Sequence, residues 1–352
     1  MPADTFLLNK KIDKIVWRCP SNIAIVKYWG KKGIQVPCNA SVSLTLSESY
    51  SEIELDFFDK KNDSPIELDY FFEGEKKVPF ENRIRKYLSD HLNQFPVLKN
   101  YAIRINSHNS FPHSAGIASS ASAFGAIALS LLDASFILKN QPRNDEFFKQ
   151  SSQLARLGSG SACRSIYGGF VLWGKNKMMA DSSNEFAIPI TDIHQNFKQW
   201  HDAILIIDEN PKKVSSSAGH SLMNKHVYAK SRFAQANERA ARIIKILSGG
   251  DYEEFIKIAE SEALTLHAMM MTSGDYYLLM KPGTIIAIEK IMDFRRETKV
   301  PVCFTLDAGP NVHLLYPEDD KNTVASFIND ELKGSVKKII FDKMGNGPQK
   351  IK

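Results

Sequence analysis

"FPHSAGIASSASAFGAIALSLL", residues 111–132, is the stretch on which the reading of the whole chain turns. It opens with Phe-Pro, passes one glycine and three closely spaced serines (Ser114, Ser119, Ser120), and then becomes almost wholly small and apolar. A loop of small residues running straight into a helix is a natural anion site. The free N–H groups of the first helical turn point outward, and the helix dipole favours negative charge there. Gly116 lets the backbone approach a phosphate closely. Ser119 and Ser120 add hydroxyls that could bind phosphate or help hold a phosphate-bound Mg²⁺. The same pattern also fits an ordinary packed helix with a serine N-cap, and the stretch alone leaves both readings open. It is neither a Walker A loop, having no GKS or GKT, nor a GxGxxG turn.

Outside this stretch the composition is that of a soluble globular protein. The 352 residues fit one large domain or two of ordinary size, with 43% hydrophobic and 24% charged residues. A net charge of +5, from 45 basic and 40 acidic residues, is too small to argue for nucleic acid. It is compatible with an anionic small substrate. The four cysteines (Cys19, Cys38, Cys163, Cys303) form no CxxC pair, so they signal neither a zinc site nor a redox motif; buried free thiols in a reducing compartment are expected. The N-terminus does not read as a signal peptide. Residues 115–132 are too rich in Ser and Gly for a membrane span. The expectation is a cytoplasmic enzyme or binding protein with no nucleic-acid or membrane partner.

Alternating apolar and polar residues predict strands at 39–46, 50–58 and 100–111, and a hairpin within 65–80. Helical spacing predicts helices at 82–95, 143–157, 231–250, 251–270 and 281–297, with a Gly-Gly stop at 249–250. Residues 158–174 read as loop then strand, 201–210 as a buried strand, and 302–316 as strand, turn, strand. There is no regular βαβ alternation. The pattern predicts an α+β architecture in two lobes, residues 1–195 and 196–352.

Three further segments carry polar groups where packing alone would not put them. In "SNIAIVKYWGKKG" (21–33), Lys27 interrupts an apolar strand, with Tyr28, Lys31 and Lys32 beside it. Such a lysine either snorkels to the surface or pairs with a buried carboxylate. "GSGSACRS" (158–165) supplies backbone donors, the hydroxyls of Ser159 and Ser161, and Arg164, whose fork suits carboxylate or phosphate. In "LDAGPNVH" (306–313), Asp307 ends a strand at a Gly-Pro turn; it is either a reactive carboxylate or an Asx cap.

In this order, "NIAIVKYWGKKG" with "NASVSLTL", "FPHSAGIASSAS", "GSGSACRSIYGGFV" and "DAGPN" resemble the diphosphomevalonate decarboxylases (mevalonate 5-diphosphate decarboxylases) of the GHMP kinase superfamily. The resemblance implies a two-lobed GHMP-kinase-like fold. Its N-terminal lobe would be like ribosomal protein S5 domain 2 and its C-terminal lobe an α/β sandwich, with the active-site cleft between them. It implies ATP-dependent decarboxylation of mevalonate 5-diphosphate to isopentenyl diphosphate through phosphorylation of the 3-hydroxyl. By this likeness Asp307 sits near that hydroxyl with Lys27 beside it, and Arg164 holds the substrate carboxylate. Tyr28, Lys31, Arg83, Ser159 and Ser161 hold the substrate, mainly its diphosphate. Pro112, Ser114, Gly116, Ala118, Ser119 and Ser120 form the ATP phosphate loop. Ser215 or Ser216 approaches the phosphates from "KKVSSSAGH". No metal ligand is assigned; Mg²⁺ is expected through the ATP phosphates, with Ser120 as the candidate protein neighbour, and a homodimer is expected.

The chain departs from the family pattern at His113 and Ser114, where small or hydroxyl residues and then Ala are usual, and at Gly33, where an acidic residue is frequent. Residues 275–300 match poorly. Relatives that act on mevalonate 5-phosphate, or phosphorylate the 3-hydroxyl without decarboxylating, are the neighbouring alternatives; a non-catalytic binding member is the remote one.

Overall fold

The computed structural model describes residues 12, 14–112, 117–210 and 216–352, and their side chains except at 216–218. In chain order its elements are β1 (Lys14–Val26), β2 (Lys31–Lys32), β3 (Val36–Pro37), β4 (Ser41–Asp59), β5 (Leu68–Phe72), β6 (Glu75–Lys76), α1 (Val78–Asp90), β7 (Tyr101–Asn109), α2 (Ser119–Leu138), α3 (Asp145–Gly158), β8 (Phe170–Trp173) and β9 (Ala187–Pro189). The second half contributes β10 (Trp200–Ile206), α4 (Ser216–Leu222), α5 (Ala229–Gly249), α6 (Tyr252–Met271), α7 (Pro282–Thr298), β11 (Cys303–Thr305), β12 (Val312–Pro317), α8 (Lys321–Phe327), β13 (Lys338–Lys343) and β14 (Gln349–Lys350).

The strands form two main sheets. The larger has the order β14-β1-β4-β7-β5-β6, with β8 and β9 extending from β4; the smaller has the order β11-β12-β10-β13. Only the β5–β7 pair is parallel in these two sheets. The strands alternate as a one-sided sheet requires. In β4, Ile53, Leu55 and Phe57 are buried while Glu52, Glu54 and Asp56 are half-exposed. The last strand of the chain, β14, returns to pair with β1.

The sequence predicts two strands where the structure has one. β4 runs through 41–59, but its register against β1 slips: Pro20 pairs with Tyr50 and Asn22 with Thr45. Ser21 therefore faces the bulge at 46–49. Asp342 on β13 accepts the freed N–H groups of Ser47, Glu48 and Ser49 at 2.8–2.9 Å. The polar Ser-Glu-Ser that reads as an interruption is a bulge satisfied from the other sheet. α1 also begins four residues earlier than its hydrophobic spacing predicts, with a proline in its first turn, and ends at Asp90.

One apolar core lies between the larger sheet and α1–α3. A second joins the sheets: Ile23, Val42 and Phe170 of the larger pack with Ile204, Leu315 and the α5–α6 residues Ile243 and Phe255. The third lies behind the smaller sheet against α7 and α8. α2 is the central helix. It is long and apolar enough to cross a membrane, yet 83% of that apolar window is buried inside the protein. Its small residues account for the close fit. Ala121, Ala126 and Ala128 are wholly buried, and a Cβ at Gly125 would lie 2.4 Å from the Cys19 sulfur of β1.

Candidate active site

β1 ends at Val26 between the two sheets, so the next residues enter the space where the lobes meet. A cavity of about 200 Å³ opens there. Its lining includes Lys27, Tyr28, Lys31, Arg83, Ala118, Ser120, Ser159, Ser161, Arg164 and Asp307, all expected from the sequence. Ser119, the first residue of α2, and exposed Pro112 do not line it. Ser114, Gly116 and Ser215, like His113, lie outside the described residues, as does the side chain of Ser216.

Lys27 is 2% exposed and does not snorkel. Its Nζ donates to Asp307 Oδ1 at 3.2 Å. Burial pulls its pKa below the usual lysine value, although Asp307 acts in the opposite sense. Asp307 follows β11 and remains 28% exposed to the cavity. The imidazole of His267 donates from Nε2 to the Asp307 carbonyl oxygen at 3.1 Å, which holds the strand end in place.

Arg164 sits in a 3-10 segment, Gly160–Ile166, also buried to 2% exposure. Nη1 donates to Ser41 Oγ at 2.7 Å and Nη2 to Asn22 Oδ1 at 3.3 Å; Nε has no hydrogen-bond partner. The Tyr28 hydroxyl is likewise buried without a partner. Burial pushes its phenol up, so it stays a protonated donor. Trp29 Nε1 is a third buried donor with no protein partner, so three such donors belong to residues that line this one cavity, where a bound anion can accept from them. Arg83, exposed at the cavity mouth, lies 4.8 Å over the Phe124 ring. Lys31 donates to Gln35 at 3.2 Å. Four cations against one carboxylate make the cavity electropositive, suited to a multiply charged anion.

The residue before α2 is Ala118, with no side-chain cap bond. The serine N-cap reading therefore fails: no side chain caps the helix, and the Ala121 N–H of its first turn donates to the Ala118 carbonyl at 2.7 Å. Ser120 Oγ lies 3.3 Å from Ser159 Oγ, joining the start of α2 to the 158–165 loop. Among the described residues no three His, Cys, Asp or Glu side chains converge as a metal cage. The donor set fits a metal carried in on phosphates, with a hydroxyl as its protein neighbour.

Sequence reasoning missed two groups. Glu262 on α6 is wholly buried and accepts the Lys27 backbone N–H at 2.9 Å, while Arg232 at 2.5 and 2.9 Å and Arg239 at 2.8 Å neutralise it. It fixes the backbone from which the Lys27 side chain departs. A glutamate on the stripe Phe255, Ala259, Glu262, Leu266 was the available signal. The other is His220 on α4, which lines the cavity beside Tyr28.

Comparison with known proteins agrees along most of the chain. Residues 19–184 match the diphosphomevalonate decarboxylase-like N-terminal domain, and residues 203–335 the mevalonate 5-diphosphate decarboxylase C-terminal domain. The diphosphomevalonate decarboxylase mvd1 of Aspergillus fumigatus is 30% identical over 341 residues, 90% of this chain and 81% of the relative. The crystal structure of mevalonate diphosphate decarboxylase from Staphylococcus aureus superimposes with a TM-score of 0.83 at 30% identity, covering 97% of this chain and 99% of that one. A solved structure of MDDEF in complex with MVAPP, AMPPCP and magnesium gives 0.80 at 25% identity, covering 96% and 99%. With both domains matched in order and the cationic cavity at their junction, the chain belongs to the diphosphomevalonate decarboxylase family, with its GHMP-kinase-like fold.

Proposed function

We propose that this protein converts mevalonate 5-diphosphate and ATP to isopentenyl diphosphate, ADP, phosphate and CO₂ by phosphorylating the tertiary 3-hydroxyl. One observation carries the reading: the Lys27–Asp307 pair, 3.2 Å apart, shares a cavity with the Arg164 guanidinium. The solved relative with MVAPP, AMPPCP and magnesium supports the substrate and nucleotide classes.

Each step asks something different of these side chains. Hydroxide is a poor leaving group and a tertiary alcohol a poor nucleophile. Asp307 accepts the hydrogen bond of the 3-hydroxyl and aims its oxygen at the γ-phosphorus. The Lys27 ammonium lies where the transferring phosphoryl group carries its charge. Once the oxygen bears phosphate, the C3–O bond can break. The electrons of the bond between C2 and the carboxyl carbon then form the alkene, and CO₂ leaves. Arg164 holds the carboxylate in the required direction; Ser41 and Asn22 hold Arg164 in turn. Tyr28, Lys31, Arg83, Ser159 and Ser161 bind the diphosphate end. Segment 112–120, with Ser215 and Ser216, binds the ATP phosphates, and Ser120 would help hold a phosphate-bound Mg²⁺, which would supply charge neutralisation there. The same reading puts the lobe boundary near residue 195, supported by the larger sheet taking all its strands but β14 from before that point and the smaller sheet taking all of its strands from after it. A homodimer is supported by exposed Ile285, Ile286 and Met292 on α7, and a cytoplasmic location by four free cysteines.

The test is a substrate comparison with CO₂ as the readout. kcat/KM for mevalonate 5-diphosphate should exceed that for the 5-phosphate at least tenfold. An equal or reversed preference overturns the diphosphate assignment, and ADP release without CO₂ from either substrate overturns the lyase.

A further inference from the structure

His220 has no part in the reaction as proposed above, yet it lines the cavity. Its ring is 8% exposed and lies between Tyr28, at 4.3 Å between centroids, and Trp29, at 5.0 Å. Its seat is tightly set: a Cβ at the neighbouring Gly219 would come within 2.4 Å of the Trp29 ring. Nδ1 accepts the Gly30 backbone N–H at 3.0 Å. A backbone N–H can only donate, so Nδ1 is unprotonated and the neutral ring carries its proton on Nε2. No hydrogen bond to Nε2 is present among the described residues.

His226, a few residues along, shows what a structural histidine looks like here. Its Nδ1 accepts from the Tyr228 N–H, and its Nε2 meets the Met269 carbonyl and the Thr272 hydroxyl. Both nitrogens are used up within the protein. His220 uses one, and the other belongs to a ring on the cavity wall.

We propose that His220 is a substrate-contacting residue that donates an uncharged hydrogen bond from Nε2 to a phosphoryl oxygen of the bound anion. The inference rests on the anionic substrate of the reaction above and adds a specificity contact to it. Burial, with Lys31 and Arg164 nearby, pushes the imidazole down to about 3, so the ring is a neutral donor across the physiological range. A neutral donor to an anionic oxygen is still charge-assisted. It supplies direction without a further positive charge in a cavity that already holds Lys27, Lys31, Arg83 and Arg164.

Two substitutions separate the ring's two nitrogens. His220→Asn keeps an acceptor near Nδ1 for the Gly30 N–H and loses the distant donor. His220→Gln reaches the Nε2 position with an amide donor and gives up the near acceptor. Calorimetric binding of mevalonate 5-diphosphate should weaken at least fivefold in H220N, with KM rising in parallel, and should weaken less in H220Q. Binding by H220N within twofold of wild type overturns the proposal, and so does a greater loss in H220Q than in H220N, which would assign the ring to holding Gly30. Wild-type protein that binds the substrate but releases no CO₂ overturns the reaction and leaves the binding comparison to decide His220.

Discussion

Two buried ionic clusters in this molecule have opposite finishes. Asp133 on α2 is wholly buried, and its oxygens accept from Trp17 Nε1 at 3.0 Å and Arg143 Nε at 2.6 Å, with Lys350 Nζ at 3.1 Å. The cluster ties together β1, α2, the segment before α3, and the terminal strand β14. Both carboxylate oxygens have partners. Around Lys27 the charges are as buried, but the account stays open. Asp307 is part-exposed, and the Tyr28 hydroxyl and Arg164 Nε have no partners. A saturated ionic cluster holds a fold; an unsaturated one beside a cavity waits for a ligand.

The comparison can be broken by substituting each cluster in turn. Asp307→Asn should show the largest effect, lowering kcat about 10³-fold or more while substrate affinity stays within threefold. Calorimetry and a steady-state assay on one preparation check this, and activity within tenfold of wild type would refute the role. Arg164→Lys keeps the charge and loses the fork; kcat/KM should fall about 10²-fold with little change in Tm. Asp133→Asn should do the reverse. It leaves two cations without their carboxylate and costs about 2 kcal/mol in denaturant unfolding, with kcat/KM of the folded enzyme unchanged.

The smallest effect is a shift along the pH axis. Burial lowers the Lys27 pKa below its reference value of 10.5. Between the lowered value and 10.5 the folded protein binds fewer protons than the unfolded chain, so this group makes stability rise with pH there. Activity that needs the ammonium falls as pH rises through the same window. The alkaline limb of the kcat profile should therefore lie below pH 10.5 and move upward in Lys27→Arg.

Much of the site was legible because its chemistry sits in odd company. Lys27 stands inside an apolar run, Arg164 follows alternating Gly and Ser, and Asp307 closes a strand at Gly-Pro. The cavity brings all three together. Glu262 and His220 were not legible in this way. Each is a single polar residue on a helix face, and only the tertiary fold brings Lys27 and Gly30 against them. The break that the sequence predicts at 47–49 is absent for a related reason. Local polarity there marks a bulge whose partner, Asp342, lies almost 300 residues away in sequence. The small residues of α2 find their reason in the fold, where Ala121, Ala126 and Ala128 are wholly buried and Gly125 lies against the Cys19 sulfur.

The central claim is that the open cluster couples phosphoryl transfer to loss of the carboxylate. The most direct measurement is the stoichiometry of ADP and CO₂ released from mevalonate 5-diphosphate and MgATP in a single incubation. The account predicts one CO₂ for each ADP from the first turnover onward, and ADP accumulating without CO₂ would contradict it.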